Sequence, residues 1–225
     1  LQLTPLDRLN LSINYSNDLQ EGQLAGSDSR STNVGLGFTY SPWEILTLNG
    51  QLSRQRYTFL GAGGSSKSNI GFMGAQVGPF HRFTLHLNYQ TMTSNTTTPT
   101  FTGNGGYGTG GLGDPTETGD GTTLGSTNYD TKLDTVTSRL EYPISQSRRV
   151  FTEWQASWTK GGGSYGMSTS PEDSLRLSAA LGIEFSLNKY VNWQMDVRHI
   201  RYTDANNAER NYKGNLLTGE VRARF

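Results

Sequence analysis

Apolar and polar residues alternate one by one along most of the chain, which is the pattern of β-strands with one apolar and one polar face. The clearest segments are 9–15, 34–40, 83–89 and 175–185, where Leu, Val, Ile, Phe or Tyr recurs at alternate positions over much of each segment. Ten full strands are predicted in this way, and Leu1-Gln2-Leu3 reads as the tail of an eleventh. The sequence therefore predicts an all-β, antiparallel, up-and-down architecture within a single domain over 1–225.

Short turns alternate with longer polar segments, so that the ten strands form five pairs. The longest polar segment, 93–128, consists chiefly of Thr, Gly, Ser and Asn. It has too little apolar area to offset the entropy of ordering it, and it is predicted to be a long mobile external loop. A second loop is predicted over 161–173. Short turns at one end and long loops at the other are typical of transmembrane β-barrels, whose short turns are periplasmic.

Aromatic residues mark both ends of the predicted strands, as in the interfacial girdles of membrane barrels. Those near the turns are Tyr40, Trp43, Phe80, Tyr142, Phe185, Tyr190, Trp193 and Phe225, and those near the loops are Tyr15, Tyr57, Tyr89, Trp158 and Tyr202. The alternation is weakest over 70–77, where both faces carry apolar residues. A β-bulge or a face with small residues is expected there.

Composition narrows the class of protein further. The mean hydropathy is −0.58 and no run of about 18 apolar residues occurs, which excludes a transmembrane helix but not a barrel, whose strands need only every second residue apolar. The 19 basic and 19 acidic residues balance, so no nucleic-acid partner is expected. The absence of cysteine excludes thiolate zinc sites and covalent c-type haem attachment, and no cofactor is predicted.

If the apolar positions meet lipid, the alternate positions face the lumen, and their chemistry changes along the chain. The first five strands contribute mostly Asn, Ser, Thr, Gln and Gly, whereas the last five contribute charged residues. The predicted lumen-lining residues are Arg139, Glu141, Arg149, Glu153, Arg176, Glu184, Asp196, Arg198, Glu220, Arg222 and Arg224. In a narrow barrel these would pair into a plugged interior, and in a wide one they would line water and bias ion passage.

The carboxyl-terminal strand resembles that of bacterial outer-membrane β-barrels. It alternates up to Val221-Arg222-Ala223-Arg224-Phe225, and the resemblance implies that Phe225 is an assembly signal read by the barrel-assembly machinery. The implied location is the outer membrane, with its lipid as a partner. Because Leu1 to Leu3 precede a turn like the others, a complete ten-stranded barrel and the carboxyl-terminal part of a larger one both remain open.

The repeated unit, a turn such as Thr4-Pro5-Leu6-Asp7-Arg8 or Ser41-Pro42-Trp43-Glu44 followed by Leu-x-Leu alternation and a Tyr, is similar to that of large outer-membrane barrels. It is similar in particular to barrels that sheath multihaem cytochromes in metal-reducing and iron-oxidising bacteria. The resemblance implies an enclosed or periplasmic protein partner. A chain without cysteine could enclose such a cytochrome but could not attach its haem.

Three motifs suggest other chemistry, and each lacks the context that it needs. The segment 108–113 matches GxGxxG without a preceding strand and a following helix. The Gly-rich segment 61–67 lacks the Gly that a phosphate-binding loop places before its Lys. Asp114, Glu117 and Asp120 could bind calcium, but they lack a full ligand spacing and are expected to be a solvated acidic loop.

Asp196 and His199 invite comparison with omptins, the ten-stranded outer-membrane proteases whose topology the chain resembles. Their Asp-x-His spacing is Asp-Val-Arg-His here, which puts the two side chains on opposite faces, with His199 outward near the external rim. His81 is predicted in a turn and His86 in the lumen. The chain is therefore predicted not to be an enzyme.

The sequence leaves three hypotheses about function, in decreasing order of preference. The first is a pore or sheath that passes solutes or an enclosed partner across the outer membrane. The second is a closed structural or adhesive barrel that acts through its external loops. An omptin-like surface hydrolase is the third.

Overall fold

The computed structural model describes residues 2–6, 8–20, 28–59, 64–102, 123–165, 168–187 and 191–223. These residues form one antiparallel sheet in which every strand pairs with its neighbours in sequence. The strands are β1 (Gln2–Leu6), β2 (Leu9–Gln20), β3 (Ser29–Trp43), β4 (Leu46–Phe59), β5 (Ser65–Phe80), β6 (Phe83–Thr102), β7 (Thr123–Ser145), β8 (Arg148–Tyr165), β9 (Ser168–Ser186), β10 (Val191–Asp204) and β11 (Tyr212–Ala223). A short 3-10 turn, Ala208–Arg210, precedes β11. The ten predicted strands and the additional amino-terminal strand are all confirmed.

The register of the strands gives the sheet two chemically distinct faces. Leu11 of β2 lies opposite Phe38 of β3, and that row continues across the sheet through Met73 and Tyr89 to Val136 of β7. We call the side that carries this row the apolar face and the opposite side the polar face. Because the residues alternate sides along each strand, the register fixes the face of every residue in the regular parts of the sheet, and beyond the shifts near the turns the face follows from the paired residue.

Burial is inverted relative to that of a water-soluble protein. On the apolar face, large side chains are exposed, including Leu52 at 66%, Leu181 at 64% and Leu217 at 62%. Among the described residues the only buried hydrophobic ones, Phe151 and Ala180, lie on the polar face. A soluble sheet would cover its leucines with a second layer. Within the described residues no helix is long and apolar enough to cross a membrane.

The strands extend further towards the loops than predicted. β6 continues to Thr102 and β7 begins at Thr123, so the predicted loop 93–128 is wrong at both ends, and 103–122 lies outside the described residues. Thr97 donates a hydrogen bond from Oγ1 to Asn128 Oδ1 at 2.9 Å across this hairpin. Thr is a good strand former although it adds little apolar area. The predicted loop 161–173 is wrong for the same reason, since β8 and β9 pair up to Tyr165 and Ser168.

The weak alternation over 70–77 does not produce a bulge. β5 keeps an unbroken register with both neighbours from Ser65 to Val77, and the irregularity comes later, between Val77 and Phe80 at the turn. Ile70 and Phe72 lie on the polar face of a regular strand. The alternative prediction, a face with small residues, is the one confirmed, because Gly71 and Ala75 fall on the apolar face of β5.

The aromatic residues at the turn end lie on the apolar face as predicted. They are Tyr40, Trp43, Phe80, Tyr142, Phe185 and Trp193, while Tyr190 and Phe225 lie outside the described residues. At the loop end, Tyr57 and Tyr202 are on the polar face, so their assignment to the outward girdle is wrong. Tyr57 is at an odd position in β4, whose apolar residues are at even positions, and Tyr202 is at an even position in β10, whose outward residues are at odd positions.

Candidate functional site

The predicted charged residues of the lumen lie together on the polar face of β7 to β11. Ten of them are in the described residues, namely Arg139, Glu141, Arg149, Glu153, Arg176, Glu184, Asp196, Arg198, Glu220 and Arg222. They comprise five arginines and five carboxylates, so the wall is neutral overall. Arg224 and Phe225 lie outside the described residues, and the role of Phe225 in assembly stays a prediction.

Seven of these residues form one ion-paired cluster, which we call the charged cluster. Its members are Arg139, Glu141, Arg149, Glu153, Glu184, Asp196 and Arg198. The register creates it, because Arg139 lies directly opposite Glu153, and Arg149 directly opposite Glu184. Directly opposed residues have Cβ atoms about 5 Å apart, within reach of long charged side chains.

Arg139 is the centre of the charged cluster. Its Nε lies 2.7 Å from Glu141 Oε1, and its two terminal nitrogens lie 3.8 Å from Glu153 Oε2 and 3.5 Å from Glu184 Oε2. Its guanidinium carbon also lies 4.0 Å from the centroid of the Phe151 ring, an arrangement that adds a cation–π interaction. One cation thus offsets the repulsion among three carboxylates that come from three different strands.

Phe151 and Gly182 form the floor beneath Arg139. Phe151 is only 1% exposed, and its ring lies over Gly182, directly opposite it on β9. A Cβ at Gly182 would overlap that ring and would lie 2.8 Å from the Cβ of Asp196. Glycine is therefore required here by the close approach of two side chains. Neither residue is among those predicted from the sequence, although an aromatic residue at a polar-face position of β8 is a detectable signal.

Asp196 is the most enclosed carboxylate of the wall. It is 5% exposed, and its Oδ2 accepts no hydrogen bond but lies 3.6 Å from Arg198 Nε. Arg198 in turn places a terminal nitrogen 3.0 Å from Glu153 Oε1, which joins β10 to β8 across β9. His199, one position further, lies on the apolar face with its Nδ1 2.8 Å from Asn215 Oδ1. The prediction that Asp196 and His199 are on opposite faces is confirmed.

The remaining charged residues of the wall are more exposed. Glu220 and Arg222 form a two-point ion pair, with nitrogen–oxygen distances of 2.7 and 2.9 Å. Arg176 forms no ion pair with any residue that the structure describes. It lies beside Arg222 and Arg198 around a cavity of about 410 Å³ on the polar face. This cavity therefore has in its lining an arginine without an ion-pair partner among the described residues.

On the polar face of β2 to β5, Asn, Ser, Thr, Gln and Gly predominate, as the sequence predicts, and Asp18 is the one charged residue there among those that the structure describes. A second concave region of about 400 Å³ is lined there by Asn10, Ser12, Asn49, Gln51 and Phe72. The wall therefore has one half with few charged residues and one half with many. Among the described residues, no group of His, Asp or Glu is arranged to hold a metal ion.

An inward charged face, an outward leucine-rich face and consecutive antiparallel strands define the fold of outer-membrane β-barrels. No protein-family model matches the chain, and no curated protein is significantly similar to it in sequence.

Solved structures nevertheless share its fold. The pyoverdine-bound FpvA of P. aeruginosa has a TM-score of 0.66 at 9% identity, covering 97% of this chain and 36% of that one. The copper transporter OprC has a TM-score of 0.62 at 12% identity, covering 95% and 38%. The ferric preacinetobactin receptor BauA of Acinetobacter baumannii has a TM-score of 0.58 at 11% identity, covering 98% and 41%. The chain thus spans about two-fifths of the length of these structures.

Proposed function

We propose that the chain forms the wall of an outer-membrane barrel through which solutes, or an enclosed partner protein, cross the outer membrane. The observation that carries the proposal is the inverted burial, with exposed leucines on one face and an ion-paired charged cluster on the other. The exposed leucines would contact lipid, and the charged side chains would contact water or a partner protein. FpvA, OprC and BauA bind or transport small solutes by their names, which supports the solute-passing form of the proposal.

A closed barrel requires that the two edge strands, β1 and β11, be paired, because open strand edges do not occur in the hydrocarbon region. The strand lengths agree with the membrane thickness, since about 9–11 residues of a tilted strand span a bilayer. β6 and β7, with 20 and 23 residues, then project beyond it on the loop side. The projecting hairpin favours a second candidate function, a structural or adhesive barrel that acts through its external side.

An enclosed cytochrome is the finer form of the sheath proposal, and it rests on the similarity to sheathing barrels described above. The charged residues of the wall balance, so the wall would not repel a partner protein of either net charge. The absence of enzymatic activity stays our prediction, and Asn215 rather than a carboxylate is the hydrogen-bond partner of His199.

Single-channel recording of the full-length protein in planar bilayers tests the proposal. Stable openings are expected of a pore, whereas silence after verified insertion would favour a plugged scaffold or an occupied sheath.

Arg176→Glu should shift the reversal potential towards cation selectivity, with roughly a twofold rise in the cation-to-anion permeability ratio, because no described carboxylate forms an ion pair with Arg176. Glu220→Gln, which removes a paired charge, is the matched control in the opposite direction. An unchanged reversal potential in both variants would place this face outside the conduction path.

A further inference from the structure

Basic residues gather on the outward, apolar face of the sheet, beyond the leucine-rich belt towards the loop end. They are Arg30, Arg54, Arg56, Lys67, Lys132, Lys160, Arg201 and Lys213. All eight are exposed. The belt itself carries Leu, Val, Ala and aromatic residues, so the outward surface changes from apolar to cationic towards the loop end. At the turn end, Arg148 is the described basic strand residue on this face, and it lies over the Phe185 ring.

Six of these residues are paired with one another in register. Arg56 lies directly opposite Lys67, Lys132 opposite Lys160, and Arg201 opposite Lys213. Like charges placed directly opposite each other destabilise a strand pair. Three such pairs on one face of one sheet therefore lower the stability of the sheet, and no contact among the described residues explains why they are present.

The surrounding carboxylates neutralise only part of this charge. Asp134 binds Lys132 at 3.0 Å, and Asp173 lies opposite Lys160 without coming within ion-pair distance. Asp130, the other outward carboxylate nearby, bonds to Asn95. Arg56, Lys67, Arg201 and Lys213 form no ion pair with any described residue. On the polar face, by contrast, four of the five described arginines are paired with carboxylates.

Two outward grooves run from the apolar belt towards these cations. One, of about 410 Å³, is lined by Val136, Trp154, Ala156 and Leu177 and reaches Arg201. The other, of about 370 Å³, is lined by Leu36, Leu52 and Gly71 and reaches Arg54. An apolar groove that ends at a cation matches an acyl chain joined to an anionic headgroup.

We infer that the three like-charge pairs bind the phosphate groups of phosphorylated glycolipids in the outer leaflet. Acyl chains would lie in the two grooves, which reach Arg201 of one pair and Arg54, two residues from Arg56 of another. A phosphate placed between two cations accepts charge-assisted hydrogen bonds from both and replaces repulsion with attraction. The inference rests on the proposed membrane orientation, in which the loop end is external. The partner is the lipid headgroup, and free inorganic phosphate is the alternative source that the test separates.

Lipid binding by the purified full chain tests this inference. The probes are bis-phosphorylated lipid A and the same lipid with both phosphates removed, each in phosphatidylcholine vesicles that contain the inserted protein. The K67Q/K213Q variant is expected to bind the phosphorylated lipid about tenfold more weakly than the wild type, because two charge-assisted contacts are lost. The matched control R176Q/R222Q removes two cations from the opposite face and should leave lipid binding unchanged.

Thermal unfolding gives a second readout whose sign changes with the lipid. In phosphatidylcholine alone, K67Q/K213Q should melt at the same temperature as the wild type or higher, because repulsion is relieved. With phosphorylated lipid A present, the variant should melt lower than the wild type, because only the wild type gains from the ligand. A loss of folding would lower both melting temperatures and is thereby recognised.

Three outcomes would overturn the inference. They are equal binding of the two lipids by the wild type, equal binding of phosphorylated lipid by K67Q/K213Q, and full competition by inorganic phosphate, which would identify a general anion site. If the wild type inserts into vesicles and opens channels but fails these tests, the lipid inference alone falls. If it does not insert into vesicles at all, the proposed function falls as well.

Discussion

Arg139→Met is expected to lower the free energy of unfolding by about 2–4 kcal/mol, because it removes the one cation shared by three largely enclosed carboxylates. The carboxylates of Glu141, Glu153 and Glu184 are only 16–17% exposed, so water screens their mutual repulsion poorly. Met keeps the unbranched apolar stem that packs near Phe151. Urea titration of the protein in lipid vesicles, followed by tryptophan fluorescence, measures the change.

The matched control for that variant is Arg222→Met. Arg222 has an ion pair of equally short distance with Glu220, but the two side chains are 64% and 51% exposed. An exposed pair contributes little to stability because solvent competes for both ions. A loss in Arg222→Met as large as that in Arg139→Met would show that the number of ion pairs, and not the enclosure of the charged cluster, determines the effect.

Gly182→Ala is expected to cost about 2–3 kcal/mol, the range that overpacking of a close-packed site produces. The added methyl group would overlap the Phe151 ring and press on Asp196 from the other side. Both neighbours belong to the floor of the charged cluster, so the displacement should also weaken the hold on Arg139. The same urea titration measures it.

Gly219→Ala provides the comparison within the same sheet. No atom lies within 4 Å of the position that its Cβ would take, and the residue faces outward on β11. The free energy of unfolding is expected to change by less than about 0.5 kcal/mol. If Gly182→Ala were equally neutral, the close approach of Phe151 would not limit the residue at position 182.

The strands and their two faces could be predicted from the sequence because both depend on local alternation. Leu9 to Tyr15 and Leu175 to Phe185 each show a period of two, and no distant contact is needed to interpret it. The strand ends could not be predicted, because residues 93–102 extend β6 by pairing with β7, although Phe101 is the one large apolar residue among them. The end of each strand depends on how far its neighbour continues to pair with it, and the pattern of apolar residues in one strand does not contain that information.

The charged residues of the wall could be identified from the sequence, but their contacts could not. Arg139 and Glu184 are 45 positions apart, and they meet only because β7, β8 and β9 are in one particular register. Lys132 and Lys160 likewise lie directly opposite each other only because of the register between β7 and β8. A shift of register by two residues would keep every side chain on its face and would separate both pairs.

Fluorescence quenching of Trp154 by lipids tests most directly the claim that lipid is the solvent of the apolar face. Trp154 is 50% exposed at the centre of β8, and its neighbour Gln155 lies on the polar face. A variant that retains only Trp154 should be quenched strongly by brominated acyl chains and weakly by aqueous iodide. A variant with its one tryptophan at position 155, Gln155→Trp, should show the reverse. Quenching of Trp154 by iodide but not by brominated lipid would contradict the account.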